Sequence, residues 1–135
     1  MNPADEELIT AARGARRFAY APYSRYDVGA AIRDAEGRLW TGANVENASY
    51  GLSICAERAA VAKMVSEGSR HIASVAVSTR DGGTPCGMCL QTLSEFAPDP
   101  ESVMVIVTDD AGGISRHTLR DLMPFAFRSD GLGRD

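Results

Sequence analysis

The 135-residue chain contains no apolar run approaching the ~20 residues that a membrane-spanning helix needs. Its start, acidic at Asp5, Glu6 and Glu7, lacks the basic and then apolar segments of a secretory signal, so the expected compartment is the cytoplasm. There is no positive excess either: 14 Lys and Arg stand against 18 Asp and Glu, a formal net charge of -4. That balance excludes overall attraction to a nucleic-acid backbone or an anionic membrane. Arg13, Arg16 and Arg17 are the best local basic cluster; in a stretch of helical period they read as a solvated helix face. Low-complexity tracts and repeats are missing, which leaves an ordinary globular chain. Three cysteines cannot all pair within one chain, and a reducing compartment keeps such thiols free for other work.

What is present is 44% hydrophobic sequence, enough for one substantial core. The expectation is a single domain over residues 1–127 followed by a loose tail over 128–135. Leu8, Ile9, Ala12, Ala15 and Phe18 recur at helical spacing, which predicts a helix over 3–19. Residues 28–32 and 39–45 read as a hairpin around Asp34-Ala35-Glu36-Gly37. Helices are predicted over 55–65 and 86–96, strands over 72–79 and 114–117, and a helical turn over 119–123. The run 103–107, Val-Met-Val-Ile-Val, is apolar at every position and fits a strand covered on both faces. The sheet therefore needs helices on both sides.

Cys86-Gly87-Met88-Cys89 stands at a predicted helix start, where positions three apart share a face and the helix dipole favours thiolate. Cys55 opens another predicted helix. A structural zinc takes four protein ligands, whereas a catalytic zinc takes three and keeps a position for water. Cys55, Cys86 and Cys89 supply three; His71 and His117 lie away from them and are expected to be ordinary side chains. Glu57, two residues past Cys55, is placed to carry protons at such a site, although a first-turn acid also complements a helix dipole. Arg58 would offset part of the charge of three thiolates.

Cys55-Ala56-Glu57-Arg58 followed by Pro85-Cys86-Gly87-Met88-Cys89 resembles the zinc nucleoside and nucleotide deaminases, whose signature is a worked case of base deamination. The likeness extends to Tyr23-Ser24-Arg25-Tyr26-Asp27-Val28-Gly29-Ala30-Ala31, to Asn44-Val45-Glu46-Asn47, and to Leu122-Met123-Pro124-Phe125-Ala126-Phe127. These follow the order seen in small tetrameric cytidine deaminases. The resemblance implies a three-layer α/β/α sandwich with a mixed sheet of about five strands, a bound Zn²⁺, and hydrolytic deamination of cytidine and 2′-deoxycytidine. It implies ribose contacts from Asn44 and Glu46, further substrate contacts from Tyr26 and Ala56, and Phe127 reaching a neighbouring subunit's site in a homotetramer. Read without the family, Asn44 and Glu46 serve equally well as loop caps. The chain departs from the family at Tyr26, where Phe is common, at bulky Met88, and at Leu90, where Arg is common.

Two other chemistries compete. A related deaminase acting on another aminopyrimidine nucleoside, such as blasticidin S, shares the cysteine signature. A thiol–disulfide oxidoreductase would use Cys86 and Cys89 alone and leave Cys55 and Glu57 without a role. A zinc-binding module without catalysis would have no need of Glu57. Polynucleotide editing lacks a basic, aromatic-rich segment to hold the strand.

Overall fold

Backbone periodicity and side-chain alternation resolve into an open sheet in the computed structural model, which describes residues 1–129. The part of the expected tail over 130–135 lies outside the described residues. The elements in chain order are α1 (Pro3–Arg16), β1 (Gly29–Asp34), β2 (Leu39–Ala43), α2 (Ala56–Ser66), β3 (Ile72–Ser78), α3 (Gly87–Glu95), β4 (Met104–Thr108), β5 (Ile114–Thr118) and the short α4 (Leu119–Leu122). A single 3-10 turn, Tyr50–Leu52, precedes α2. Among the described residues no helix is long and apolar enough to cross a membrane.

The strands lie in the order β2-β1-β3-β4-β5. Only β3 and β4 are parallel, with α3 in the crossover between them; the other neighbours are antiparallel. Side chains alternate across each strand, so Val75, Val77, Val105 and Val107 face α2 and α3, while Ala76 and Ile106 face α1. The expected mixed sheet between helical layers is therefore present. The run 103–107 occupies an inner strand, as its unbroken apolarity required, and Val105, Ile106 and Val107 are all buried.

Two glycines set how closely the helices approach. A Cβ on Gly29 would stand 2.1 Å from the Ala12 carbonyl oxygen, and one on Gly42 would stand 2.5 Å from the Ala60 nitrogen. No larger residue fits between strand and helix at either place. The contact at Gly42 holds the first turns of α2 against β2.

One expectation needs correction and another needs refinement. Helix α1 stops at Arg16, short of residue 19, because the chain turns to let Tyr20 pair with the 44–46 segment. Its basic cluster does face solvent, with Arg13 and Arg17 exposed, but two of its members are also bonded to the end of the sheet. Arg13 Nη2 donates to Thr108 Oγ1 at 2.8 Å, and Arg16 Nη1 meets Asp110 Oδ1 at 2.5 Å. The last turn of α1 lies over the end of β4, within reach of both acceptors. Arg17 instead lies over the Phe18 ring.

Asp34, at the end of β1, is 1% exposed. Its carboxylate accepts from the Glu36 and Arg38 amides, both at 2.9 Å, from Trp40 Nε1 at 2.9 Å, from Ser69 Oγ at 2.7 Å and from Arg38 Nε at 3.1 Å. Burial alone would raise its pKa, but these donors together hold it well below the usual carboxylate range. A depressed folded-state pKa gives stability that is complete above the unfolded value of about 4 and is lost as pH falls below it. Acid unfolding of the wild type should thus begin below about pH 4, and Asp34→Asn, which sets amide hydrogens against these donors, should cost about 2–4 kcal/mol at pH 7. Chemical denaturation of both proteins at pH 7 and pH 3 measures this; the variant should lose less on acidification.

Candidate functional site

The loop after β2 determines what can face the cysteines. Asn44-Val45-Glu46 runs between two backbone neighbours: Tyr20 N donates to the Asn44 carbonyl at 2.9 Å, while Val45 and Ile54 exchange amide bonds, both at 2.9 Å. Successive side chains of an extended segment point to opposite sides. Asn44 and Glu46 therefore look into one cleft, and Val45 looks away. Ile54 leads directly to Cys55, so this pairing fixes the distance between the Asn44–Glu46 wall and the cysteines.

Cys55 occupies the N-cap of α2 and Cys86 the N-cap of α3, with Cys89 in the first turn of α3. Neither cap residue makes a side-chain capping bond, so the sulfurs are free to turn toward one another. All three Sγ atoms lie within 4.8 Å of each other, and among the described residues no other group of three or more ligating side chains converges in this way. Cys86 Sγ is 3.4 Å from Cys89 Sγ. Neither histidine joins them: His117 Nε2 lies 3.2 Å from Ser115 Oγ on β5, and His71 is exposed.

Electrostatics favour the thiolate at Cys55. The hydrogen bond from Cys89 lowers Cys55 to about 5 against the opposing effect of burial, with Arg58 adding to it; the same bond pushes Cys89 upward. Arg58 Nη2 donates to the Ser53 carbonyl at 3.2 Å, which aims the guanidinium at the sulfurs, and its buried Nε has no hydrogen-bond partner among the described residues. A buried cationic donor beside three sulfurs fits an anionic metal–thiolate centre, and three soft donors with no fourth ligand among the described residues fit a catalytic zinc. The Cys-x-x-Cys pair does not stand alone, as a dithiol redox site would; Cys55 completes it.

Glu57 lies in the first turn of α2 and is 4% exposed. Burial is the main cause that lifts its pKa to about 7, with the Cys55 thiolate adding to it and Arg58 opposing. These groups close the floor of a cleft of about 330 Å³, whose walls include Tyr26, Asn44, Glu46, Ala56 and Val77. That volume accommodates a small polar ring with a sugar.

The wall residues also bond locally. Asn44 Oδ1 accepts from the Val28 amide at 2.9 Å and its Nδ2 donates to the Tyr26 carbonyl at 2.8 Å. Glu46 accepts from the Tyr23 and Ser24 amides at 3.0 and 3.1 Å and from the Ser24 hydroxyl. Both side chains thus act as loop caps and as cleft wall together. Phe127 is not brought to this cleft: it is 67% exposed, and its backbone pairs with the Gln91 side chain. Leu90 points into the core beside Leu93. Reading the sequence alone missed Ser24, Thr79 and Asp81; the one signal for the last was an Asp-Gly-Gly turn just ahead of Cys86.

Residues 2–106 match the sequence model of the cytidine and deoxycytidylate deaminase zinc-binding region. A cytidine deaminase of Halalkalibacterium halodurans is 42% identical over 127 residues, covering 93% of this chain and 95% of that protein. A probable cytidine deaminase of Dictyostelium discoideum is 39% identical, covering 94% and 86%. The crystal structure of a cytidine deaminase from Burkholderia pseudomallei superimposes with a TM-score of 0.86 at 40% identity, covering 94% of this chain and all of that one.

Replacing Cys89 by Ser removes the buried thiol, and zinc per chain, measured by atomic absorption after dialysis, should fall at least about tenfold. His71→Ala and His117→Ala should leave it unchanged.

Proposed function

Because the chain belongs to the cytidine and deoxycytidylate deaminase family, we propose that its cleft binds cytidine or 2′-deoxycytidine and hydrolyses the exocyclic amine, releasing ammonia and the uridine product. The observation that carries this reading is a buried carboxyl, Glu57, beside three sulfurs within 4.8 Å of one another on the floor of one cleft. Cys55, Cys86 and Cys89 would hold the zinc. When bound, zinc supplies Lewis-acid polarisation of a water at neutral pH. Arg58 offsets the thiolate charge.

Glu57 carries the protons. Its carboxyl, desolvated and centred near 7, can both accept and donate at working pH, which is what a group that loads N3 of the pyrimidine and then the departing amine requires. Tyr26 lies along the ring and Ala56 closes the cleft beside the reacting carbon. Asn44 and Glu46 take the sugar hydroxyls at the far wall, and the Ser24 bond that holds Glu46 ionised keeps it an acceptor.

In the same reading the chain works in the cytoplasm as a homotetramer, and Phe127 reaches the cleft of a neighbouring subunit. Support comes from apolar side chains left in water in the single chain: Tyr50 at 74%, Leu52 at 66%, Phe125 at 97% and Phe127 at 67% exposed. Sedimentation equilibrium should return four chains, and a monomer would contradict the assembly.

Glu57→Gln keeps the shape of the side chain and loses its basic oxygen. Its kcat on cytidine, followed by the ultraviolet change as uridine forms, should drop about 10²- to 10⁴-fold with zinc content unchanged. Wild-type turnover by a zinc-loaded variant would sink the mechanism. Running blasticidin S beside cytidine and 2′-deoxycytidine in the same assay tests the substrate, and cytidine should be the better one.

A further inference from the structure

Tyr26 carries a hydroxyl in the cleft, and the structure gives that hydroxyl one dominant partner. It donates to Asp81 Oδ1 at 2.5 Å. The same oxygen accepts from the Gly83 amide at 3.3 Å and lies 3.4 Å from Thr79 Oγ1, which in turn accepts from the Gly82 and Gly83 amides at 2.8 and 3.1 Å. Gly82 has φ +78°, and a Cβ on Gly83 would stand 3.1 Å from the Tyr26 hydroxyl oxygen. Arg80 covers the other side of the ring, its guanidinium carbon 4.8 Å from the centroid, and donates to the Arg25 carbonyl at 3.2 Å. The loop between β3 and Cys86 is thereby folded onto Tyr26 from two directions.

We infer that Asp81 is a positioning residue for substrate: through Tyr26 it clamps the loop 79–84 against the segment 24–28, and so fixes the cleft wall along which the pyrimidine lies. The inference rests on the functional reading above and deepens it. Thr79 and Gly83 both line the cleft beside Tyr26. When the clamp is made, Tyr26 cannot rotate away from the ring, and its hydroxyl is satisfied without competing for a substrate atom. Asp81 itself does not line the cleft, so it acts through Tyr26. A clamp of this kind holds substrate and transition state alike; its loss therefore appears in KM, leaving Glu57 and the cysteines as they were.

Four variants test it: Tyr26→Phe, Asp81→Ala, the double variant, and Asp81→Asn, whose amide oxygen still accepts the hydroxyl. Asp81→Ala and Tyr26→Phe should each raise KM for cytidine roughly fivefold to tenfold, the worth of one hydrogen bond, with kcat within about twofold and zinc content unchanged. The double variant should be no worse than the worse single, because both break one link, and Asp81→Asn should recover most of the loss. Amide hydrogen exchange at Gly82 and Gly83 should speed up in Tyr26→Phe in the absence of substrate. Unchanged exchange, additive effects in the double variant, or loss of kcat without change in KM would each overturn the clamp. If zinc-loaded wild type fails to turn over cytidine, the functional reading fails, and the exchange rates alone then decide whether the clamp exists.

Discussion

Two helices have to begin at the same point over one face of the sheet for the cysteines to meet, and the rest of the molecule is arranged around that requirement. Helix α2 is set by its contact with β2, where Gly42 leaves room for the backbone near Ala60. Helix α3 is set by its place in the crossover between the parallel strands β3 and β4. Two N-termini directed at one spot gather unpaired backbone N–H groups, which favour anionic sulfur there. Arg58 adds a full positive charge anchored by the Ser53 carbonyl.

The two buried carboxyls show how partners, more than depth, decide ionisation. Asp34 is closed off from water yet held ionised, because backbone amides, Trp40, Ser69 and Arg38 all point donors at it. Glu57 is nearly as buried, and among the described residues its own backbone amide is the one hydrogen-bond donor that lowers its pKa. The first group ties the β1–β2 hairpin to the segment after α2. The second is left close to neutral pH beside the sulfurs, as the proposed reaction requires.

Much of this was legible without coordinates. Helix spacing in 3–19, the alternating hairpin and the fully apolar run ending at Val107 point to an α/β sheet covered on both sides, and the structure has that form. Cys55, Glu57 and the Cys86–Cys89 pair were legible because helix starts impose short-range geometry that spacing alone reveals. Arg13 and Arg16 were not. Their acceptors, Thr108 and Asp110, are some 95 residues away along the chain, and no local pattern carries such information. Asp81 escaped for the same reason, since Tyr26 is 55 positions before it.

Residue chemistry and short spacing by themselves determined the covered sheet, the three-thiolate donor set and the acid beside it, because period and helix-terminus geometry are properties of neighbouring residues. Tertiary structure decided the rest: that the two cysteine segments meet, that Asn44 and Glu46 share their cleft, and that Phe127 stays outside it in its own chain. Each of these depends on where distant segments pack. The bridges of Tyr20 and Ile54 to Val45, like the close approach at Gly42, exist only once the sheet has brought them together.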